Sequence, residues 1–555
     1  MTLLLACAVG IPLSEGDSDP VATADTAEME DIPGPGEVDP TDAIFDPTTI
    51  HDFVLELPAA DWADVRDNPY AENWHAATFR FGEDVVETVG IRAFGAGSLI
   101  PGKPSIKLSF DHFVPGQDWR GVEQLKLDNS SQDPGFMNEL IGTAILRRAG
   151  LPAARTGWTR LRVNDEEAGF YVLFEPVDDR FLLRWFGDDS GNLYGTADGH
   201  HGQGLNPIVN GGPFDWYVPQ TQSETDGSDL LAIAEVVASG SDAELRAALD
   251  IDEFTRMSVI RSVFGGIDTF SADGNNFYLY NLGGYWSIIA WDLDADLGYP
   301  YYFSTALVVD PSAPWLTSPW AYNPVSGAAY TDPVLSRGIA MGTDIDGIVA
   351  ETLAGPGEWS VIDAEIAAAA ELIRDDVYSD LLGYGPSFDQ RRHDLRLFVH
   401  TRASSLLGRD AAPCEEAGPG EYRAADLSPA GTVGWGSLLV DSTNWGPGFQ
   451  IAGEHFCTGV FAHAPSDVTL TLPEGVTHLS AAVGLQDWVQ QCGDGATFSV
   501  TQDGVTLWTS QPRANYDEPE ATGTLAVVPG EIHLVASPNS EYSCDTAAWV
   551  DVRAW

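Results

Sequence analysis

Lysine is almost missing from this chain. Its 555 residues include three, Lys103, Lys107 and Lys126, beside 24 arginines and 83 Asp plus Glu, for a formal charge of −56. A surface this acidic is repelled by phosphate backbones and anionic leaflets, which argues against nucleic-acid and membrane-surface roles. No apolar run reaches 18 residues, so no spanning helix is expected. Cysteines number five, with no Cys-x-x-Cys and no His-rich spacing, which argues against a zinc site. What is present is enough for packed cores: 44% hydrophobic and 10% aromatic residues, in a length that suits two to four domains. The three lysines fall between positions 103 and 126, a clustering that random placement would rarely produce.

The opening Met1-Thr2-Leu3-Leu4-Leu5-Ala6-Cys7 resembles a bacterial lipobox whose charged and apolar upstream parts lie before the first residue. An exported, lipid-anchored protein is therefore expected. Residues 8–47 carry eleven Asp or Glu and no Lys or Arg, which reads as a disordered, self-repelling tether. The remaining cysteines, Cys414, Cys457, Cys492 and Cys544, fit two disulfides with three possible pairings.

Two folded regions follow. Residues 48–410 mix short strands with helical stretches such as 252–264 and 362–372, giving an α+β domain. Residues 411–424 read as a Pro/Gly linker, and 425–555 as an all-β sandwich of short alternating runs punctuated by Asp503-Gly504 and Pro529-Gly530.

Chemistry-bearing residues concentrate in the first region. A strand over 85–94 runs into Gly95-Ala96-Gly97, and Lys107 sits in the next strand, 105–110. A glycine turn admits phosphates to backbone amides, and a strand lysine beyond it supplies a point charge. Asp133 is placed to cap a helix over 140–148, with Glu139 in its first turns. The hairpin 160–175 ends its apolar second strand at Glu175, followed by a helix over 178–186; a strand that links briefly to a helix is the layout of a hinge between lobes. Beyond a helix over 252–264, Asp268 precedes Asn275 and Asn276, and the hairpin 277–291 delivers Asp292-Leu293-Asp294-Ala295-Asp296. Phosphoryl transfer needs a carboxylate for the acceptor hydroxyl and oxygen ligands for Mg²⁺, and this order supplies both. The same Asp alternation also suits Ca²⁺, though not an EF-hand, whose sixth and twelfth positions would be Leu297 and Phe303.

These residues resemble the spore-coat CotH-like kinase family, atypical kinases of the surface or exterior. The likeness runs over 48–410 and is carried by Val89-Gly90-Ile91-Arg92, Lys103 to Phe110, Gly169 to Glu175, and Asn276 to Tyr280 with Trp291-Asp292-Leu293-Asp294. It implies a two-lobed kinase-like domain in which Lys107 pairs with the ATP phosphates, Arg92 and Lys103 assist, and Glu175 stands at the hinge. It also implies Asp268 as the catalytic carboxylate, and Asp292, Asn276 and Asp294 as ligands of Mg²⁺ or Mn²⁺. Where family members often show a fuller basic-glycine pattern, this chain has Arg92-Ala93-Phe94-Gly95, so a pseudokinase stays open.

Residues 425–555 resemble the NPCBM-like carbohydrate-binding modules, through Gly453 to Gly459, Ala462-His463-Ala464-Pro465-Ser466, Ala482-Val483-Gly484 and Phe498 to Gly504. His463 is expected to be structural, and Trp488, Trp508 and Trp549 are candidate sugar-stacking faces. The expected function is an exported protein kinase acting on Ser or Thr of a surface or envelope protein. The rivals are an inert glycan-binding or structural surface protein, and a glycan kinase.

Overall fold

Period-two alternation begins at Ile50, with Phe53 and Leu55 buried and Asp52 and Glu56 exposed, and six further strands follow, of which Ile106–Ser109 is buried on both faces. These are β1 (Ile50–Glu56), β2 (His75–Phe81), β3 (Asp84–Ala93), β4 (Ile106–Ser109), β5 (Gln124–Asp128), β6 (Thr156–Val163) and β7 (Glu166–Phe174). They close into a barrel in the order β1-β2-β3-β4-β5-β7-β6, antiparallel except where β1 runs parallel to β6. Closure leaves no unpaired strand edge. Phe53, Phe79, Ile91, Leu108, Leu125 and Leu127 fill its interior, with Trp119 edge-on to Phe53 and Phe79. The structure is a computed structural model and describes residues 39–555 except 96, 197–204, 206–216, 221–224, 267, 272–273, 298–331, 407–416, 419, 444–445, 448, 453, 487–493, 515–516 and 541–544. It divides into two compact units at residue 399.

The end of the expected tether is folded. Residues 39–47 hold a short 3-10 turn, Pro40–Ala43, and bury Ile44 and Phe45 in the barrel cluster. The acidity that suggested disorder is neutralised locally, since Asp39 pairs with Arg155 (3.2 Å) and Arg180 (2.9 Å). Residues 8–38, Cys7 and the lipobox-like start lie outside the described residues.

Helices α1 (Ala59–Asp67), α2 (Asn138–Arg148) and α3 (Asp179–Phe186) accompany the barrel strands. Asp133 does cap the approach to α2, accepting from the Asn138 amide (2.8 Å), and Asp178 caps α3. A second sheet follows, built from β8 (Asn192–Thr196), β9 (Tyr217–Pro219), β10 (Phe277–Leu282) and β11 (Tyr285–Ala290) in the order β11-β10-β8-β9. With it stand α4 (Ser228–Ser239), α5 (Asp242–Ala248), α6 (Ile251–Val263), α7 (Pro333–Ala340), α8 (Ile345–Ala354), α9 (Trp359–Ser379) and α10 (Gly385–Leu406). Among the described residues no helix is long and apolar enough to cross a membrane.

The second unit is the expected β-sandwich. One sheet joins Ala430–Thr432, Ser466–Leu472, Gly530–Pro538, Ala496–Gln502 and Val505–Thr509; the other centres on Gly459–Phe461, Ala547–Ala554 and His478–Leu485. The expected linker ends early: Tyr422–Arg423 already pair with Ala554 and Arg553. Trp549 is wholly buried between the sheets and so offers no sugar-stacking face, whereas Trp508 is half-buried against the same core. Trp488, Cys414, Cys492 and Cys544 lie outside the described residues. His463 is structural as expected: it is buried, and its Nδ1 donates to the Ala464 carbonyl (2.7 Å).

Candidate active site

Strand register builds the first half of the site. Arg92 on β3 lies opposite Lys107 on β4, which lies opposite Lys126 on β5. Their neighbours along the strands, Ile91, Leu108, Leu125 and Leu127, fill the barrel, so the three cations share its outer face. That face is covered: Arg92, Lys107 and Lys126 are 5%, 5% and 7% exposed. Aromatic rings cover them. The Arg92 guanidinium and the Lys107 Nζ stand 5.2 and 5.9 Å from the Trp74 ring centroid, and the Lys126 Nζ stands 4.5 Å from that of Trp291. Arg92 also pairs with Glu72.

Trp291 leads into the second half. Its amide donates to the Asn276 carbonyl (3.3 Å), and Asp292 comes next in the chain. Both Asn276 (φ 56°) and Asp292 (φ 50°) adopt the left-handed region, which Asn and Asp tolerate better than other side chains but which still costs energy. One residue holds this backbone. Arg261 of α6, fully buried, grips Asp296 with two bonds (3.1 and 2.8 Å) and donates to the carbonyls of Asn276 (3.2 Å), Trp291 (3.3 Å) and Asp292 (3.2 Å). From the other side, Asn138 of α2 donates to the carbonyls of Asp294 (2.5 Å) and Asp296 (3.2 Å), and Glu139 accepts from the Leu293 amide (2.5 Å). Gly266 must lack a side chain, because a Cβ would lie 2.7 Å from Asp296 Oδ1 and 3.1 Å from the Arg261 carbonyl. Asp268 is tied to the same loop: Asn275 Nδ2 donates to its carboxylate (3.0 Å) and Asn276 Nδ2 to its carbonyl (3.2 Å).

The carboxylates repel one another in a desolvated place. Burial, then the charges of Asp128 and Asp268, pushes Asp292 up to about 7. Burial, then Asp292 and Glu139, holds Asp294 well above the usual range; burial and then Asp292 do the same to Glu139. Among the described residues no three Asp, Glu, His or Cys side chains converge as a ready-made cation cage. The donor set nonetheless fits Mg²⁺, which takes one or two carboxylates plus substrate phosphates and waters. Glu139 Oε2, buried without a hydrogen-bond partner, marks the same unmet demand for positive charge.

Of the expected residues, the structure therefore brings Asp268, Asn276, Asp292 and Asp294 together, and aligns Arg92 with Lys107. Two expected helpers stand apart. The Lys103 ammonium is spent on Asp380 (2.8 Å) and the Asn129 carbonyl (3.1 Å), between the rings of Phe136 and Tyr171, and burial lowers it to about 8. The Glu175 carboxylate is clamped by Arg155 (2.7 Å) and Arg184 (2.5 Å) and is not presented to a nucleotide. Sequence reasoning missed Lys126, Arg261 and Asn138. Only Lys126 carried a signal, its membership of the lysine cluster.

Residues 91–336 match the family model described as CotH kinase protein, and residues 421–554 match that of the NPCBM/NEW2 domain. The inner spore coat protein H of Bacillus subtilis (strain 168) is 22% identical over 197 residues, which are 34% of this chain and 53% of that protein. The chain thus spans about half the length of this curated relative. Among solved structures, the CBM51-2 and INT domains of Clostridium perfringens ZmpB are 22% identical over 24% of this chain and 31% of that one, with a TM-score of 0.23. CBM51 from Clostridium perfringens GH95 is 15% identical over 24% of this chain and 99% of that one, also with a TM-score of 0.23. The chain is thus similar to the CotH kinase protein family over residues 91–336 and to the NPCBM/NEW2 domain over residues 421–554.

Proposed function

We propose that the first unit transfers the γ-phosphoryl of ATP to a hydroxyl of a surface or envelope protein. The observation that supports this most is the meeting of a buried basic row with a buried acidic loop, joined where Lys126 covers Trp291. Arg92 and Lys107 hold the phosphates by charge, and Asp292 with Asp294 and Asn276 holds Mg²⁺ or Mn²⁺. The cation, when bound, offsets charge on the β- and γ-phosphates. Asp268 orients the acceptor hydroxyl and takes its proton as the oxygen bonds to the γ-phosphorus and the bridge to ADP breaks. Glu139, Asn138 and Arg261 keep the loop in its left-handed turns. In a chain of net charge −56 a nucleotide approaches more readily with its cation than alone.

Labelling with γ-³²P-ATP tests this. Wild type should incorporate label in Mg²⁺ and lose it in EDTA, and Asp292→Ala should abolish it. A wild type without Mg²⁺-dependent labelling and without a nucleotide-induced thermal shift sinks the reading and leaves an inert surface protein. Label found on a glycan instead of a protein would move the acceptor to the sugar class.

A pH dependence follows. Asp292 titrates near 7 folded against 3.8 for a free side chain, so the cation-free protein loses stability as pH rises from about 4 to about 7. Mn²⁺ must displace that proton and the one that burial holds on Asp294, so its apparent affinity should fall at least tenfold per pH unit below 7. Calorimetric titrations at pH 5.5, 6.5 and 7.5 read this directly, and a flat profile would count against Asp292 as ligand.

The second unit supports a glycan-binding reading through its NPCBM/NEW2 match. Trp435 is the exposed candidate face, 58% exposed and edge-on to His463 with centroids 5.8 Å apart. Trp435→Ala in the full chain should remove glycan-array binding and leave the melting temperature unchanged; undiminished binding would exclude this face.

A further inference from the structure

The acidic loop is also held from a helix that lies beyond residues 91–336. Helix α10 begins next to Tyr384, whose hydroxyl donates to the Ser131 carbonyl (2.6 Å), and in its second turn it carries Arg391, which is 3% exposed. Arg391 Nη2 donates to Asn138 Oδ1 (2.8 Å) and to the carbonyl of Leu297 (3.3 Å), itself in the left-handed region (φ 61°). Gly135 leaves the side chain room, because a Cβ there would lie 2.8 Å from Arg391 Cγ. Asn138 is fully buried, so its amide must find its partners within the protein. The two ends of that amide are alike in shape and opposite in hydrogen bonding: Nδ2 donates and Oδ1 accepts. A guanidinium has donors only, so it admits Oδ1 and rejects Nδ2. With Oδ1 committed to Arg391, Nδ2 is turned to the carbonyls of Asp294 (2.5 Å) and Asp296 (3.2 Å). A flipped amide would set Nδ2 against the guanidinium and Oδ1 against two carbonyl oxygens, and all three bonds would be lost.

We propose that Arg391 is a positioning residue of the acidic loop: it fixes the orientation of the Asn138 amide, and through that amide the backbone at Asp294 and Asp296. The cation site then depends on a helix outside the stretch that matches the CotH kinase protein model. The inference rests on the proposed function only for the place of the cation, because Mn²⁺ binding requires neither nucleotide nor turnover.

The test is Mn²⁺ titration of the full chain without nucleotide, followed by electron paramagnetic resonance. Arg391→Met should weaken binding about tenfold. Arg391→Lys, whose ammonium still donates to Oδ1 and offers no acceptor, should restore most of it. Asn138→Ala should weaken binding at least as much as Arg391→Met. Adding Arg391→Met to Asn138→Ala should then cost less than about threefold more, since Arg391 acts through Asn138. A purely structural role would lower the melting temperature of Arg391→Met and leave the affinity of the folded variant unmoved. That result, or Arg391→Lys binding as weakly as Arg391→Met, or losses that multiply in the double variant, overturns the proposal. If Arg391→Met does not fold, Arg391→Gln is read in the same way, because an amide accepts as readily as it donates and no longer dictates how Asn138 lies. Wild type that binds no Mn²⁺ removes the cation site and the proposed function with it; wild type that binds, beside undiminished variants, removes Arg391 alone.

Discussion

Lys103→Met is expected to cost about 3–5 kcal/mol of folding stability, whereas Lys107→Met, four positions away, is expected to abolish phosphate binding. The cost at Lys103 follows from its partner. Lys103 and Asp380 are almost wholly buried together, and Asp380 also accepts from the amides of Phe170 (2.8 Å) and Leu382 (3.0 Å). Removing the ammonium strands a carboxylate in an apolar place, which is far dearer than losing the pair as a whole. Gly169 shows how tightly the pair is built in, since a Cβ there would lie 2.8 Å from Lys103 Cε and 3.0 Å from Asp380 Oδ2. Lys107 lies in strand register between Arg92 and Lys126, where the proposed site places the phosphates. Denaturant titration of both variants beside phosphate calorimetry separates them. The double variant Lys103→Met/Asp380→Leu should regain part of the loss, limited by the two amides left unpaired. Equal stability of Lys103→Met and wild type would show that Lys103 is not a structural ion pair.

Arg261→Lys is expected to weaken Mn²⁺ binding about 10–100-fold although it keeps the charge. The guanidinium makes five contacts at once, two to Asp296 and three to the carbonyls of Asn276, Trp291 and Asp292. An ammonium has three donors and no fork, so it can satisfy Asp296 or the carbonyls but not both sets. The released loop would relax from the left-handed turns at Asn276 and Asp292, moving the carboxylate that is to hold the cation. Arg261→Met should in addition destabilise by about 3–5 kcal/mol, because Asp296 is then buried unpaired. Manganese titration followed by electron paramagnetic resonance measures the first effect; undiminished affinity in Arg261→Lys would remove Arg261 from the positioning role.

Local signals in the sequence were legible. The helix expected over 252–264 is found at Ile251–Val263, the hairpin expected to end before Asp292 ends at Ala290, and Asp133 caps the approach to α2. Each rests on periodicity or on a side chain reaching a few residues along the chain. What failed to show was partnership across distance. Nothing near Lys103 announces Asp380, 277 residues later, so a buried ion pair read as a nucleotide contact. Glu175 ends an apolar strand as a hinge residue would, but its partners Arg155 and Arg184 lie 20 residues before and 9 after it. The basic row needed the register of three strands, which composition does not carry. Asp39 to Phe45 misled in the opposite direction: the acidity of the segment hid two apolar anchors and the arginines that balance Asp39.

The central claim is that the basic row and the acidic loop form one site around a metal-bound triphosphate. The most direct measurement is a crystal structure with Mn²⁺ and a non-hydrolysable ATP analogue, using the anomalous signal to place the metal. The account predicts an anomalous peak about 2.0–2.2 Å from an Asp292 carboxylate oxygen, with phosphate density against Lys107. Nucleotide bound away from the row, or manganese coordinated without Asp292, would contradict it.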